Sequence, residues 1–144
     1  MPASNALHAQ GTLLQVGDGA SPEVFTTIAE VGTIQGPGLD SDQIDVTNHT
    51  SVNEYREYIQ GLKEPGELSF TINFVPDDAT HDNATGLVSF YEDGLKRNFQ
   101  MVFPTTPPVP WLLPGFLKSF NVTAAVDDKL VADVTIKLTG APTF

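Results

Sequence analysis

The sequence predicts a mainly β domain, a β-sandwich with one flanking α-helix, and three observations carry that prediction. Apolar residues recur with a period of two in several segments, as they do in half-buried strands. Gly- and Asp-rich pairs of turn character separate those segments. Only one stretch places its apolar residues at helical spacing. Short strands with a single helix are the pattern of two packed β layers with a helix at their side.

In chain order, "GTLLQV" and "EVFTTIAEVGTI" flank Gly17-Asp18-Gly19, a hairpin signal. Residues 36–66 form a long connecting segment. Within it, "QIDVTNHTSVNEYREYIQGLKEPGELSF" opens and closes like a strand, but its charged, aromatic middle is predicted to be irregular. In "ELSFTINFV", Leu68, Phe70, Ile72 and Phe74 share one face, with Ser69, Thr71 and Asn73 on the other. A helix is predicted at about 82–93, capped by Thr80 or Asp82 and ended by Gly94. "NFQMVF" follows as a strand with Phe99, Met101 and Phe103 aligned. Five prolines between Pro104 and Pro114 argue against a central strand there and predict a stiff exposed loop anchored by Trp111. "FLKSFNVTAAV" aligns Phe116, Phe120, Val122 and Ala124. Asp127-Asp128 suits a turn, and "LVADVTIKL" aligns Leu130, Ala132, Val134, Ile136 and Leu138. No repeat or linker divides the chain, so 1–144 is read as one domain with a flexible arm at 1–10.

Composition narrows the function classes. The chain has no cysteine, which removes disulfide scaffolds, thiolate metal sites and cysteine nucleophiles. "MPASNALHAQ" has neither a basic start nor an apolar run, so no signal peptide is read there, and the three Asn-x-Thr sequons are taken as chance. No apolar run nears the ~20 residues of a membrane-spanning helix. The net charge is −11, and no Lys or Arg precedes Arg56. Such a surface repels nucleic-acid phosphates, whose binding needs clustered cations. His8, His49 and His81 are too scattered for a zinc site, and "DDATHDN" lacks the frame of a calcium loop. There is no Gly-x-Ser-x-Gly and no Ser-His-Asp order. No catalytic residue, metal ligand or cofactor site is assigned, and the chain is read as not an enzyme. Tyr55, Arg56, Tyr58 and Trp111 lie outside the core pattern and belong to types enriched at interface hot spots.

Four blocks, "GDGASPEVFTTIAEV", "IQGPGLDSDQIDVTNHTS", "YREYIQGLKEPGELSFTINFVPDDATH" and "AVDDKLVADVTIKLTGAPTF", resemble the major tail tube protein of long-tailed, non-contractile, lambda-like bacteriophages over about residues 11–144. The proline-rich "PTTPPVPWLLPGF" departs from that pattern. The resemblance implies a virion protein, assembled in the host cytoplasm, that forms hexameric rings stacked into a tube. Its implied partners are itself, a tape-measure protein, a tail terminator and tail-tip proteins. Double-stranded DNA would pass through without specific binding, and no membrane insertion is implied. Residues 43–67 are then the expected inter-ring segment, mobile in the free subunit, with Asp45, Thr47, Tyr55, Arg56, Tyr58 and Lys63 as contacts. Glu30 and Asp133 are the acids expected to face the lumen. Two rivals remain: the tube protein of a contractile secretion system, and a monomeric lectin-like module using Trp111 as a sugar platform.

Overall fold

A computed structural model describes residues 3–144. The strands are β1 (Leu13–Gly17), β2 (Phe25–Thr27), β3 (Val31–Gln35), β4 (Asp40–Asp45), β5 (Tyr58–Glu64), β6 (Glu67–Asn73), β7 (Arg97–Phe103), β8 (Val109–Ala124) and β9 (Leu130–Leu138). One helix, α1 (Leu87–Asp93), lies between β6 and β7. Seven strands form an antiparallel sheet in the order β2-β1-β7-β8-β9-β6-β3, while among the described residues β4 and β5 pair only with each other.

The long strand β8 folds that sheet into two layers. Its residues 109–115 pair with β7, and 115–124 pair with β9. A strand that changes partners across a bend or bulge makes a corner between layers. The bulge is at Lys118, because Leu117 opposes Ile136 and Ser119 opposes Thr135. Leu14, Phe99 and Leu113 from one side of this corner meet Leu68, Val134 and Ile136 from the other in one buried cluster. Each such side chain contributes about 1.5–3 kcal/mol by leaving water.

The alternation of β6 and β9 is realised as read: Leu68, Phe70, Ile72, Ala132, Val134, Ile136 and Leu138 are buried. In β8 the bulge resets the phase. Leu113 and Leu117 are buried and Phe116 is exposed, so the single Phe116-to-Ala124 face is corrected. Beyond the bulge Phe120 packs edge-on to Phe74, with ring centroids 5.2 Å apart.

The proline-rich segment also needs correction, because Val109–Gly115 is strand and not loop. Leu112 N–H donates to Thr143 O at 2.7 Å, on the side of β8 away from β7. By the strand's period of two, the nitrogens of Pro110 and Pro114 point the same way. The missing N–H groups therefore fall outside the β7–β8 ladder, where proline is tolerated.

The helix is shorter than predicted. Gly86 stands at its N-terminal boundary, and the preceding turns are organised by Asp82 Oδ1, which accepts the N–H groups of Ala84, Thr85 and Gly86. Gly94 ends it at φ 62°, as expected. His81, fully buried, ties this loop to the sheet: its Nδ1 accepts the Val75 N–H at 3.2 Å, and its Nε2–H donates to Ala29 O at 2.7 Å.

Candidate assembly surfaces

Residues 36–66, expected to be a loop, instead form an arm built on the β4–β5 hairpin. Gln43 opposes Gln60, Ile44 opposes Ile59 and Asp45 opposes Tyr58. Opposed residues share a face, so Ile44 and Ile59 lie on one face of the ribbon, and Asp45 and Tyr58 on the other. Both faces are wet: Ile44 is 48% exposed, Ile59 53% and Tyr58 51%. An isolated two-stranded hairpin is marginally stable in water. Its stability here comes partly from the turn, which bonds to itself. Asp45 Oδ1 accepts the Thr47 N–H at 2.8 Å, and Thr47 Oγ1 accepts the Glu57 N–H at 2.8 Å. Ser51 donates to Glu57 Oε2 at 2.7 Å, and Asn48 Oδ1 accepts the Thr50 N–H at 2.9 Å. The Thr47 donors, with help from Arg56, hold the Asp45 carboxyl below its ordinary range.

Asp45 and Thr47 are thus engaged within their own turn. Tyr55, 74% exposed, and Arg56, Tyr58 and Lys63 remain open to solvent. Sequence reading passed over Asn48, Ser51 and Glu57, although Asp-x-Thr and Asn-x-Thr spacings are a local turn signal. It also passed over Ile44 and Ile59. At the arm's base, Lys137 Nζ meets Glu64 Oε1 at 2.8 Å. There Gly66, at φ +77°, lets the chain pass so close to Gly38 that a Cβ would lie 2.4 Å from its carbonyl oxygen.

Among the described residues, the part of the sheet made of β3, β6, β9 and residues 116–124 of β8 has two unpaired edges. One is the outer side of β3, and the other is the side of β8 turned away from β9. Its solvent face is polar. Thr71, Asp133 and Asn121 stand abreast on it, with Ser69 and Thr135 beside them. Asp133 is exposed. Glu30, at φ 60°, accepts a 2.9 Å hydrogen bond from Asn73 Nδ2, two residues along β6 from Thr71. The two acids chosen from sequence therefore border one face. Toward the arm's base Lys118 pairs with Glu67 at 2.6 Å, which holds the Glu67 carboxyl below its usual range.

Trp111 is not an exposed anchor. It is half-buried in β8, edge-on to Phe103 at 5.1 Å and to Phe144 at 4.7 Å. Residues 3–10 are exposed and carry no strand or helix, while Met1 and Pro2 of the expected arm lie outside the described residues. An open groove of ≈ 640 Å³ separates the base of the β4–β5 arm from the C-terminal segment. Among the described residues, no three His, Asp or Glu side chains gather as a metal site, and no helix is long and apolar enough to cross a membrane.

Residues 9–144 match the family described as Lambda phage tail tube protein, TTP. "Structural protein 3" of Pseudomonas phage PAJU2 is 28% identical over 161 aligned positions, covering 99% of this chain and 95% of that protein. The tail of an empty gene transfer agent particle, solved with C6 symmetry, has the same fold at a TM-score of 0.79. It is 20% identical, over 96% of this chain and 98% of that one. The sheath/tube terminator structure of the PVC extracellular contractile injection system aligns at a TM-score of 0.71 and 11% identity, over 99% and 98%. The SPP1 tail tube aligns at 0.64 and 14%, over 94% and 77%.

Proposed function

Because the chain belongs to the lambda phage tail tube protein family, and is a structural protein of the virion tail, we propose that it polymerises into hexameric rings stacked into a tube that carries the genome. The observation that carries this reading is the pair of free edges bracketing a four-stranded, polar-faced half of the sheet. Exposed edges invite pairing with another chain, and closing a ring removes them. Strands β8, β9, β6 and β3 alternate in direction. Rotation about a ring axis preserves direction along that axis, so β3 of one copy and β8 of the next run antiparallel. Hairpin-like hydrogen bonding can then continue around the barrel.

In that ring the polar face turns inward and places Glu30 and Asp133 at the lumen. Acids there repel DNA phosphates within a Debye length of roughly 8 Å, so the duplex slides without being held. The β4–β5 arm, which pairs with no other strand, reaches to the adjacent ring. Tyr55, Arg56, Tyr58 and Lys63 make its contacts, while Asp45 and Thr47 shape its turn. Residues 3–10 clasp a neighbour. The ends of the tube meet a tape-measure protein, a terminator and tail-tip proteins, and the role is structural and not catalytic.

A contractile-system tube has related architecture, and the PVC likeness supports it at the level of fold alone. A lectin-like module loses support because Trp111 is packed against Phe103 and Phe144. Negative-stain electron microscopy across a concentration series tests the reading. Hollow tubes or rings of uniform diameter are expected, and particles that stay single at every concentration contradict self-assembly.

A further inference from the structure

The sheet has two chemically different ends. Strand β9 starts beside the β8–β9 turn at Leu130 and finishes at Leu138, and its nine residues span about 30 Å. Strand β6 runs the other way, from Glu67 opposite Lys137 to Asn73 opposite Val131. The β8–β9 turn therefore leaves one end of these strands, while the arm's base and the C-terminal segment lie at the other. The turn presents Val126, fully exposed, followed by Asp127, Asp128 and Lys129. The far end presents the ≈ 640 Å³ groove. Leu39, Pro65, Pro142 and Phe144 give it apolar walls, and Asp40, Lys63 and Glu64 lie beside them. Leu39 and Phe144 are 51% and 62% exposed, so among the described residues these walls are covered only in part.

We propose that the β8–β9 turn of one copy seats in this groove on a copy in the adjacent ring, with Val126 as the apolar knob. The inference rests on the tube reading and assigns its axial contact to residues. A cyclic axis sends every turn out of one face of a ring and every groove out of the other. Strand tilt in a barrel does not reverse that order. Head-to-tail stacking then brings turn and groove together, and such a heterologous contact repeats along a filament. Glu64 in the groove wall is already paired with Lys137, which leaves Lys63 to meet Asp127 and Asp128, and Asp40 to meet Lys129. In a chain of net charge −11, a copy-to-copy contact needs such pairing to offset repulsion.

The absence of native cysteine gives a clean test. Val126→Cys and Ala141→Cys, combined in one chain, place a thiol on the turn and another in the groove. They lie about 30 Å apart within a copy, whereas a disulfide needs Cα atoms closer than about 7 Å. Any mixed disulfide is therefore between copies. Oxidised tubes should give a ladder of covalent oligomers that reductant collapses, and Val126→Cys alone should give no ladder. Normal tubes that yield only monomer on a non-reducing gel overturn the contact and leave the tube reading standing. A wild-type chain that never forms tubes overturns both. A second measurement covers thiol variants that fail to assemble. Lys63→Glu should raise the concentration needed for tubes at least about tenfold, and adding Asp127→Lys and Asp128→Lys should restore it. Failure to restore also overturns the contact.

Discussion

Ile72 and Ile44 are the same residue on antiparallel strands, yet Ile72 is 1% exposed and Ile44 48%. Ile72 lies in a sheet folded over its own apolar face, where the neighbours that bury it belong to the same chain. Ile44 lies on a ribbon that, among the described residues, pairs only with the other half of its hairpin. The body is built to be stable alone. The arm carries exposed apolar residues, Ile44 and Ile59, which the proposed assembly would cover with a neighbouring copy.

The largest effects on the free chain should come from the body. Phe99→Ala should lose about 3–5 kcal/mol, read from the denaturant midpoint, because it empties a fully buried site edge-on to Phe90. His81→Ala should lose about 1–3 kcal/mol for each group it orphans, the Ala29 carbonyl and the Val75 N–H. In the arm, Ile44→Ala with Ile59→Ala should lower the stability read from that midpoint by less than about 1 kcal/mol, as exposed substitutions do. Tyr55→Ala with Tyr58→Ala should leave the monomer unchanged while removing stacking, seen as rings without tubes in micrographs. A large loss of monomer stability from either arm variant would erase the contrast.

The smallest effect is on pH. The hydrogen bonds that lower Asp45 and Asp82 favour the ionised, folded form. Their contribution is full above the ordinary carboxyl value of 3.8 and is lost as pH falls through the lowered one. Asp45 is exposed and Asp82 half-buried, each bonding within its own turn, so the loss is local. The protection factor of the Thr47 amide, its exchange corrected for the intrinsic rate at each pH, should fall on acidification while that of Val134 holds. Lys137 has the opposite sign. Glu64 raises it, so its contribution is present below 10.5 and fades as pH climbs through the raised value.

The same contrast explains what the sequence disclosed. β6, β7 and β9 were legible because each buries one face, which writes a period of two into Leu68–Ile72 and Ala132–Leu138. β4 and β5 were not, because "DSDQID" and "YIQGLKE" are wet on both sides and no burial imposes alternation. In β8, the prolines obscured a strand whose Pro110 and Pro114 nitrogens face away from β7, and the Lys118 bulge shifted the phase midway. The arm's Tyr55, Arg56, Tyr58 and Lys63 were legible by residue type. The turn network through Asn48, Ser51 and Glu57 depends on contacts across the hairpin that spacing alone does not encode.

Hydrogen exchange on free subunits and on assembled tubes tests the division between body and arm most directly. The amides of β6, β9 and β7 should be protected in both states. Those of β4 and β5, and the outward-facing amides of β3 and of residues 116–124 of β8, should gain strong protection only in tubes. Equal protection of the arm before and after assembly would contradict it.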